Sequence, residues 1–224
     1  MVYTYISNFK ILNTTTHVAS IMSKKVDLRK QLKAFYSSPK KPNIINVPPA
    51  KFLTITGRGE PGDETYREAM NALYSVAYTV KFKAKAAGSD FTVMTLEGLW
   101  WFDNPNASFP DVPREEWNWK SMIRQPDFIT PKMVEEAKAE AKEKKELKEI
   151  DRVVLEQFDE GLSAQIMHIG PYSEEAETIA KLHKYIKENA YRMRGHHHEI
   201  YMSDPRRTAP ERCKTIIRQP IEKA

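Results

Sequence analysis

Two short segments of the chain place a carboxylate beside aromatic rings, and they are the strongest candidates for chemistry. Glu97 shortly precedes Trp100 and Trp101, and Glu199 precedes Tyr201 by two residues. If both segments are strands, their side chains alternate between two faces, so Glu97 shares a face with Trp101 and Glu199 shares one with Tyr201. A carboxyl group in a partly desolvated aromatic cleft has a raised pKa, which suits a general acid or base near neutral pH.

These residues support two kinds of function. As catalytic groups, Glu199 or Glu97 would activate water as a general base, while Tyr201 would orient that water or protonate a developing anion. As a binding site, a carboxylate would hold a cation while aromatic faces stack on it. The alternative for Glu97 is an edge-strand side chain that faces water, since exposed glutamates are common. For Glu199 and Tyr201 the alternative is a surface pair on one strand.

Further aromatic residues could form the walls of the same cleft. We predict that five aromatic side chains contact the ligand, namely Trp100, Trp101, Tyr66, Trp119 and Tyr172. The alternative for most of the aromatic residues is core packing, because an apolar stripe at helical spacing usually faces the core. The expected partner is a hydrophobic aromatic small molecule.

Other catalytic chemistries find little support in the sequence. Cys213 is the single cysteine of the chain, so there is neither a disulfide framework nor a cysteine-rich zinc motif. His196 and His198 could share a strand face, but His197 would point the opposite way and no third ligand stands at a suitable spacing. The chain also lacks a G-x-S-x-G elbow and a phosphate-binding loop. We expect no metal and no cofactor.

The elements that position these residues repeat along the chain. In the first half we predict a short helix over residues 27–36, an extended linker through four prolines, a strand over 52–59 and a helix over 65–85. A strand over 91–101, a helical stretch around 114–122 and a strand near 122–126 follow. A helix over 131–149 comes next, and its six lysines and six glutamates mark it as a solvated connector.

The second half shows the same order of elements. It has a strand over 162–169, a helix that starts near Ser173, a strand followed by a turn over 198–205 and a closing strand over 215–220. The letters Ile-Arg-Gln-Pro occur at 123–126 and again at 217–220. We therefore predict an α+β fold made from a duplicated β-α-β-β unit, with repeats at about 50–130 and 150–220. The two units form a pseudo-symmetric antiparallel sheet with helices on one side and a central ligand cleft.

The charge of the chain is concentrated near its start. Residues 24–41 hold seven basic residues and one acidic residue, which gives this segment a net charge of +6. The whole chain has a net charge of +5, so the remaining residues sum to −1. A nucleic-acid-binding face usually lies on the folded domain, so we interpret this stretch as a solvated arm and do not expect nucleic acid as a partner. Residues 1–27 are predicted to be a loose N-terminal extension. No segment has the features of a membrane span or signal peptide, so we expect a cytoplasmic protein, either monomer or dimer.

Several segments resemble one known family in the expected order. They are the strand that ends in His168-Ile169-Gly170-Pro171-Tyr172, the segment Glu199-Ile200-Tyr201-Met202-Ser203-Asp204-Pro205, and Leu96-Glu97-Gly98-Leu99-Trp100-Trp101. Together they resemble a stand-alone branch of the GyrI-like small-molecule-binding family over residues 28–220. The family shares its fold with the effector-binding domain of the multidrug-responsive activator BmrR.

The resemblance implies a cleft for hydrophobic, often cationic, aromatic compounds, with an acidic residue among aromatic ones. Glu199 matches the family's ligand-contacting glutamate, and Tyr201 is its neighbour in the cleft. Some stand-alone members hydrolyse cyclopropane-bearing DNA-alkylating toxins, which implies a detoxifying hydrolase as an alternative to binding alone. Other members bind DNA gyrase, so contact with a macromolecule, either gyrase or a nucleic acid, through the basic arm is a further alternative. The activators carry a helix-turn-helix domain, whereas one short helix precedes Phe52 here, so direct transcriptional regulation is not expected.

Overall fold

A computed structural model describes residues 25–104, 112–144 and 147–224. Most of the predicted N-terminal extension therefore lies outside the described residues. The helices are α1 (Leu28–Gln31), α2 (Glu64–Ala86), α3 (Pro131–Lys144) and α4 (Glu175–Glu188). The strands are β1 (Asn43–Val47), β2 (Ala50–Arg58), β3 (Leu96–Trp101), β4 (Asn118–Arg124), β5 (Val154–Phe158), β6 (Gly161–Ile169), β7 (Tyr191–Met193), β8 (His197–Tyr201) and β9 (Lys214–Lys223).

The predicted duplication is confirmed by the sheet. The nine described strands form one antiparallel sheet in the order β1-β6-β9-β8-β3-β4-β2-β5, with β7 added to β9. The unit β2-α2-β3-β4 forms one half and the unit β6-α4-β8-β9 forms the other. The halves meet where β3 pairs with β8, so the pseudo-symmetry axis passes between these two strands at the centre of the sheet. Each unit also receives an outer strand from beyond its own limits, since β1 pairs with β6 and β5 pairs with β2.

Helices α2 and α4 cover the same face of the sheet. Strand register puts Ile55, Ser121, Gly98, Glu199 and Ile217 in one row across five strands, so their side chains point to one side. The apolar stripe of α2 packs over the β2 end of this row. The α4 stripe packs over the opposite end, in a separate buried cluster. Between the two helices the central strands β3 and β8 are left open to a cleft.

The α2 helix has a clear start and a continuous buried side. The Asp63 side chain caps it by accepting a hydrogen bond from the backbone N–H of Tyr66 at 2.6 Å. Its buried residues are Ala69, Ala72, Leu73, Val76, Ala77, Val80 and Ala84, which recur at helical spacing. Small residues in most of these positions let the helix lie close to the sheet. This close packing fixes the other, partly buried side of α2 as a wall of the cleft.

Several boundaries differ from the prediction. The expected helix around 114–122 is wrong, because a 3-10 turn at Arg114–Glu116 leads directly into β4. In β4 the buried Trp119, Ser121 and Ile123 lie two residues apart, so they share one face of the sheet as residues of a strand do. The strand expected from residue 91 starts at Leu96, and the helix expected over 27–36 is α1 alone. Strands β1, β5 and β7 were not predicted.

The basic segment lies closer to the domain than a solvated arm would. From residue 25 onward it forms a bridge between Val26 and Phe91, the short helix α1 and the buried Tyr36. Arg29 and Lys33 line one mouth of the cleft. Binding of a macromolecule through this segment stays a prediction. None of the helices in the described part of the chain is long and apolar enough to span a bilayer.

Candidate functional site

The cleft between α2 and α4 has a volume of about 3110 Å³. Pockets for drug-sized ligands usually measure about 300–1,000 Å³, so this cleft can admit a larger molecule. Its centre is lined by two carboxyl groups and by aromatic side chains from both halves, namely Glu175, Glu199, Tyr66, Trp100, Tyr172 and Tyr201. Within the described residues there is no group of side chains suited to hold a metal ion.

Glu199 lies at the centre of a directed chain of hydrogen bonds. The indole Nε1 of Trp100 can only donate, and it lies 3.2 Å from the Tyr201 hydroxyl oxygen. The Tyr201 hydroxyl in turn donates a hydrogen bond to Oε2 of Glu199 at 2.8 Å, and Nε2 of His197 lies 3.2 Å from Oε1. Burial opposes the charged form of Glu199, but the hydrogen bonds of His197 and Tyr201 outweigh it and hold the pKa of this carboxyl below its ordinary value.

A second carboxyl group, Glu175, faces Glu199 from the first turn of α4. Its side chain is buried, with the residue only 5% exposed. Burial and, next, the charge of Glu199 raise the pKa of Glu175 to about 9, against a smaller opposing effect of Thr215. The pair therefore holds one proton at neutral pH, on Glu175, while Glu199 is an anion. Oε1 of Glu175 has no hydrogen-bond partner among the described residues.

The predicted aromatic residues fall into an inner and an outer group. Tyr66 stacks on Trp100 with ring centres 6.2 Å apart, and Tyr172 meets Tyr201 edge to face at 5.6 Å. These four line the cleft around the carboxyl pair. Trp101 lies on the other face of β3, where it packs beside Leu99 and stacks on His196 at 4.4 Å, and it reaches only the edge of the cleft.

Trp119 takes a supporting position behind the cleft wall. It is 1% exposed and packs edge to face against Tyr66 at 5.0 Å. A ligand in the cleft would touch Tyr66 and not Trp119, so a direct contact with Trp119 does not fit this geometry. Gly57 makes room for its ring, since a Cβ there would lie 2.2 Å from the indole.

Glu97 lies on the opposite face of the sheet, and its assignment to the cleft needs correction. In the ladder between β3 and β8, Gly98 is opposite Glu199, whereas Glu97 is opposite Ile200. Glu97 is 1% exposed and accepts a hydrogen bond from the Tyr36 hydroxyl at 2.7 Å. Side chains one residue apart in a strand point to opposite faces, so Glu97 and Glu199 cannot share one cavity.

The residues around Glu97 form a buried ionic cluster behind the cleft, which we call the rear cluster: Glu97, Glu160, His198 and Arg218. His198 lies 2.8 Å from Glu160 and 3.1 Å from Glu97, and Arg218 lies 3.0 Å from Glu160. Burial lowers the pKa of His198, but the charge of Glu160 and the hydrogen bonds outweigh this and raise it to about 9. Burial likewise opposes the charge of Glu160, yet His198 and Arg218 lower its pKa to about 2.

Glu175 and His197 were missed as site residues, although the sequence carried a signal for the first. Glu175 stands four residues before Ile179 and seven before Leu182, which places it on the apolar face of α4. A carboxyl group on the inward face of a helix is unusual enough to indicate a function. The sequence marked His197 only as a possible metal ligand beside His196 and His198, and the strand register is what separates the roles of the three histidines.

Comparisons with known proteins agree with the fold and with a small-molecule site. The family model described as GyrI-like small molecule binding domain matches residues 40–221. A solved structure described as an uncharacterized conserved protein from Listeria innocua is 41% identical, with a TM-score of 0.83 over 88% of this chain and 100% of that chain. Another, described as a hydrolase from Listeria innocua, is 40% identical, with a TM-score of 0.79 over 88% and 100%.

A more distant structure shares the fold alone. The C-terminal domain of EcmrR is 10% identical, with a TM-score of 0.56 over 82% of this chain and 98% of that chain. No curated protein sequence matches the chain.

Proposed function

The chain belongs to the GyrI-like small-molecule-binding domain family, and we propose that it binds aromatic small molecules in the cleft and hydrolyses those that carry a strained, electrophilic ring such as a cyclopropane. The observation that carries this proposal is Glu199, an anionic carboxylate fixed by two hydrogen-bonding neighbours among aromatic side chains. The similarity to a protein described as a hydrolase supports it.

In this reaction Glu199 acts as a general base. It takes a proton from a water molecule as the water oxygen bonds to a ring carbon, and the strained carbon–carbon bond breaks. The electron pair of that bond moves to the electron-withdrawing group of the substrate. The proton on Glu199 then passes to the product, which restores the carboxylate. Tyr201 contacts Oε2 of Glu199 and His197 contacts Oε1, so both oxygens are held in fixed positions, and the water uses a remaining lone pair of the carboxylate.

The aromatic walls supply binding and alignment. A flat substrate can stack between Tyr66 and Tyr172, which lie on α2 and just before α4, on either side of the carboxyl pair. Stacking of this kind contributes about 0.5–1.5 kcal/mol per ring pair beyond the burial of area. Relief of ring strain provides the driving force, so acid–base assistance of roughly 10²–10⁴-fold is sufficient for turnover.

A cyclopropane-bearing alkylating agent tests the proposal, with ring opening followed by mass spectrometry. We expect Glu199→Gln to slow hydrolysis by roughly 10²-fold or more, because the amide cannot accept the water proton. Glu174→Gln is the matched control, since Glu174 is exposed and adjacent to Glu175 but outside the cleft lining, and its rate should equal that of the parent protein. Equal rates for Glu199→Gln and the parent would rule out this carboxylate mechanism.

Capture of a cation without turnover is the second candidate. It is favoured by the single negative charge that the Glu175–Glu199 pair carries amid aromatic rings, an arrangement that attracts aromatic cations. A cationic dye titrated into the protein should quench tryptophan fluorescence through Trp100. Dye binding with no ring opening by the parent protein would favour this candidate over the hydrolase.

A further inference from the structure

The proposed ring opening leaves one feature of the site unused, the proton on Glu175. This carboxyl group lines the cleft, is 5% exposed, and is neutral at neutral pH because of burial and of Glu199. Its Oε1 has no hydrogen-bond partner among the described residues, although an unpaired buried oxygen costs about 1–3 kcal/mol. An acid that is buried, neutral and turned toward a ligand cleft is suited to donate its proton to that ligand.

The contact between the two carboxyl groups restricts which reactions they can assist together. Glu175 and Glu199 line the same cleft, and the charge of Glu199 helps to raise the pKa of Glu175, so the acid and the base act on atoms that are neighbours on one side of the substrate. Back-side displacement at a saturated ring carbon needs the base and the acid on opposite sides. Addition of water to a planar carbonyl group needs them side by side, as in the aspartic proteases, where two carboxyl groups share one proton.

We propose that the Glu175–Glu199 pair also hydrolyses aromatic carboxylic esters by direct addition of water to the acyl carbon. This activity uses the same cleft as the ring opening but does not depend on it. The substrate class follows from the walls, because Tyr66, Trp100 and Tyr172 surround the pair with ring faces and edges that suit an aromatic acyl or leaving group.

Each proton in the reaction has a defined source and destination. In the first step the water oxygen bonds to the acyl carbon, a water proton moves to Glu199, and the Glu175 proton moves to the acyl oxygen. The product of this step is a neutral tetrahedral adduct. In the second step the bond to the leaving oxygen breaks and that oxygen takes the proton from Glu199, while Glu175 recovers its proton as the carbonyl group re-forms. The pair returns to its starting state and no bond to the protein is made.

The experiment uses the full chain and 4-methylumbelliferyl acetate, a flat aromatic ester whose product is fluorescent. We expect hydrolysis by the parent protein and a loss of roughly 10²-fold or more in both Glu175→Gln and Glu199→Gln. Glu174→Gln is the matched control and should retain the parent rate. Near-UV circular dichroism of each variant verifies that the packing around the cleft is retained, because glutamine has the shape of glutamate.

The two variants separate this activity from the ring opening. Glu175→Gln keeps the size of the side chain and leaves the base in place, so the opening of a cyclopropane substrate should change by only a few-fold. The same substitution should slow ester hydrolysis by roughly 10²-fold or more. Ester hydrolysis at the parent rate in Glu175→Gln, or an acyl group found on the protein by mass spectrometry, would overturn the inference. So would a parent rate no higher than that of Glu199→Gln, even if the cyclopropane is opened.

The pH profile supplies a readout that a structural role would not change. After correction for spontaneous hydrolysis, the rate should fall at low pH as Glu199 gains a proton and fall again near pH 9 as Glu175 loses its own. The titratable groups that face the pair are Tyr66 from α2, Tyr172 before α4, His197 and Tyr201 from β8, and His183 of α4 beside His197. In the residual activity of Glu175→Gln, the fall in rate near pH 9 should be absent while the fall at low pH remains. A fall near pH 9 that persists in this variant would contradict the role of Glu175.

Discussion

Replacement of His198 by glutamine tests whether the rear cluster stabilises the fold through charge. His198 is 1% exposed and makes close contacts with both Glu160 and Glu97. These contacts raise its pKa from an ordinary value of 6.5 to about 9, against the effect of burial. At 1.36 kcal/mol for each pH unit, this difference corresponds to roughly 3 kcal/mol of stability.

The sign of the pH dependence follows from the direction of that change. A group with a raised folded-state pKa contributes all of its stability below the unfolded value and loses it as the pH rises through the folded value. The contribution of His198 is therefore complete below pH 6.5 and is lost by about pH 9. Glu160, with a pKa lowered from 4.5 to about 2, contributes fully above pH 4.5 and loses its contribution only in strong acid. The two values describe largely one contact, so they are not added, and the cluster is most stabilising between pH 4.5 and 6.5.

Urea unfolding at several pH values between 5.5 and 9 measures the effect. As the pH rises over this range, the free energy of unfolding of the parent protein should fall by roughly 3 kcal/mol more than that of His198→Gln. At pH 5.5 the variant should be less stable than the parent by a similar amount, because Glu160 has lost a charged partner. His196→Gln is the control, since His196 is exposed and stands two residues away. Parallel stability curves for the parent protein and His198→Gln would refute the charged state of His198.

Two further substitutions test the contacts on each face of β3. Tyr36→Phe removes the 2.7 Å hydrogen bond to the buried Glu97 and should lower the free energy of unfolding by about 1–3 kcal/mol in the same urea assay, with unchanged ligand binding; a stability equal to the parent would contradict it. Gly98→Ala places a Cβ 2.9 Å from the Trp100 indole nitrogen and 3.1 Å from the Tyr201 hydroxyl, so it should displace Tyr201. We expect it to slow hydrolysis by at least several-fold and to lower the free energy of unfolding by about 1–3 kcal/mol. An unaltered rate would show that Tyr201 does not position Glu199.

The elements that sequence predicted well are those whose pattern is local. The apolar stripe of α2 repeats with helical period, and the residues of β2 alternate before a pair of glycines, so the positions of these two elements follow from the sequence alone. Strands β1 and β5 were missed because each is defined by a partner in the opposite half of the molecule. Residues 114–122 contain a charged run typical of a helix, but pairing with β2 and β3 makes most of them a strand.

The candidate site was predicted in part for the same reason. Alternation correctly separated Glu199 and Tyr201 from Ile200, but it could not show which face of β3 is turned toward the cleft. That choice depends on which register joins β3 to β8, and a shift of one residue exchanges the two faces. Glu97 was therefore given the role of a cleft residue, although its carboxylate belongs to the rear cluster.

The duplication explains why the two carboxyl groups of the proposed acid–base pair lie in one half of the cleft. Ile123 and Ile217 begin the repeated Ile-Arg-Gln-Pro letters, and they pair with Leu96 and Glu199 respectively. Leu96 is thus the counterpart of Glu199, and two residues later Gly98 is the counterpart of Tyr201. In the first repeat a leucine and a glycine stand where the second repeat has a base and its hydrogen-bond donor. The missing side chain at Gly98 lets Trp100 reach across the pseudo-symmetry axis to the Tyr201 hydroxyl. The first repeat therefore supplies Tyr66 and Trp100 to the wall of the cleft and the second supplies both carboxyl groups, so the proposed chemistry depends on the divergence of the two copies.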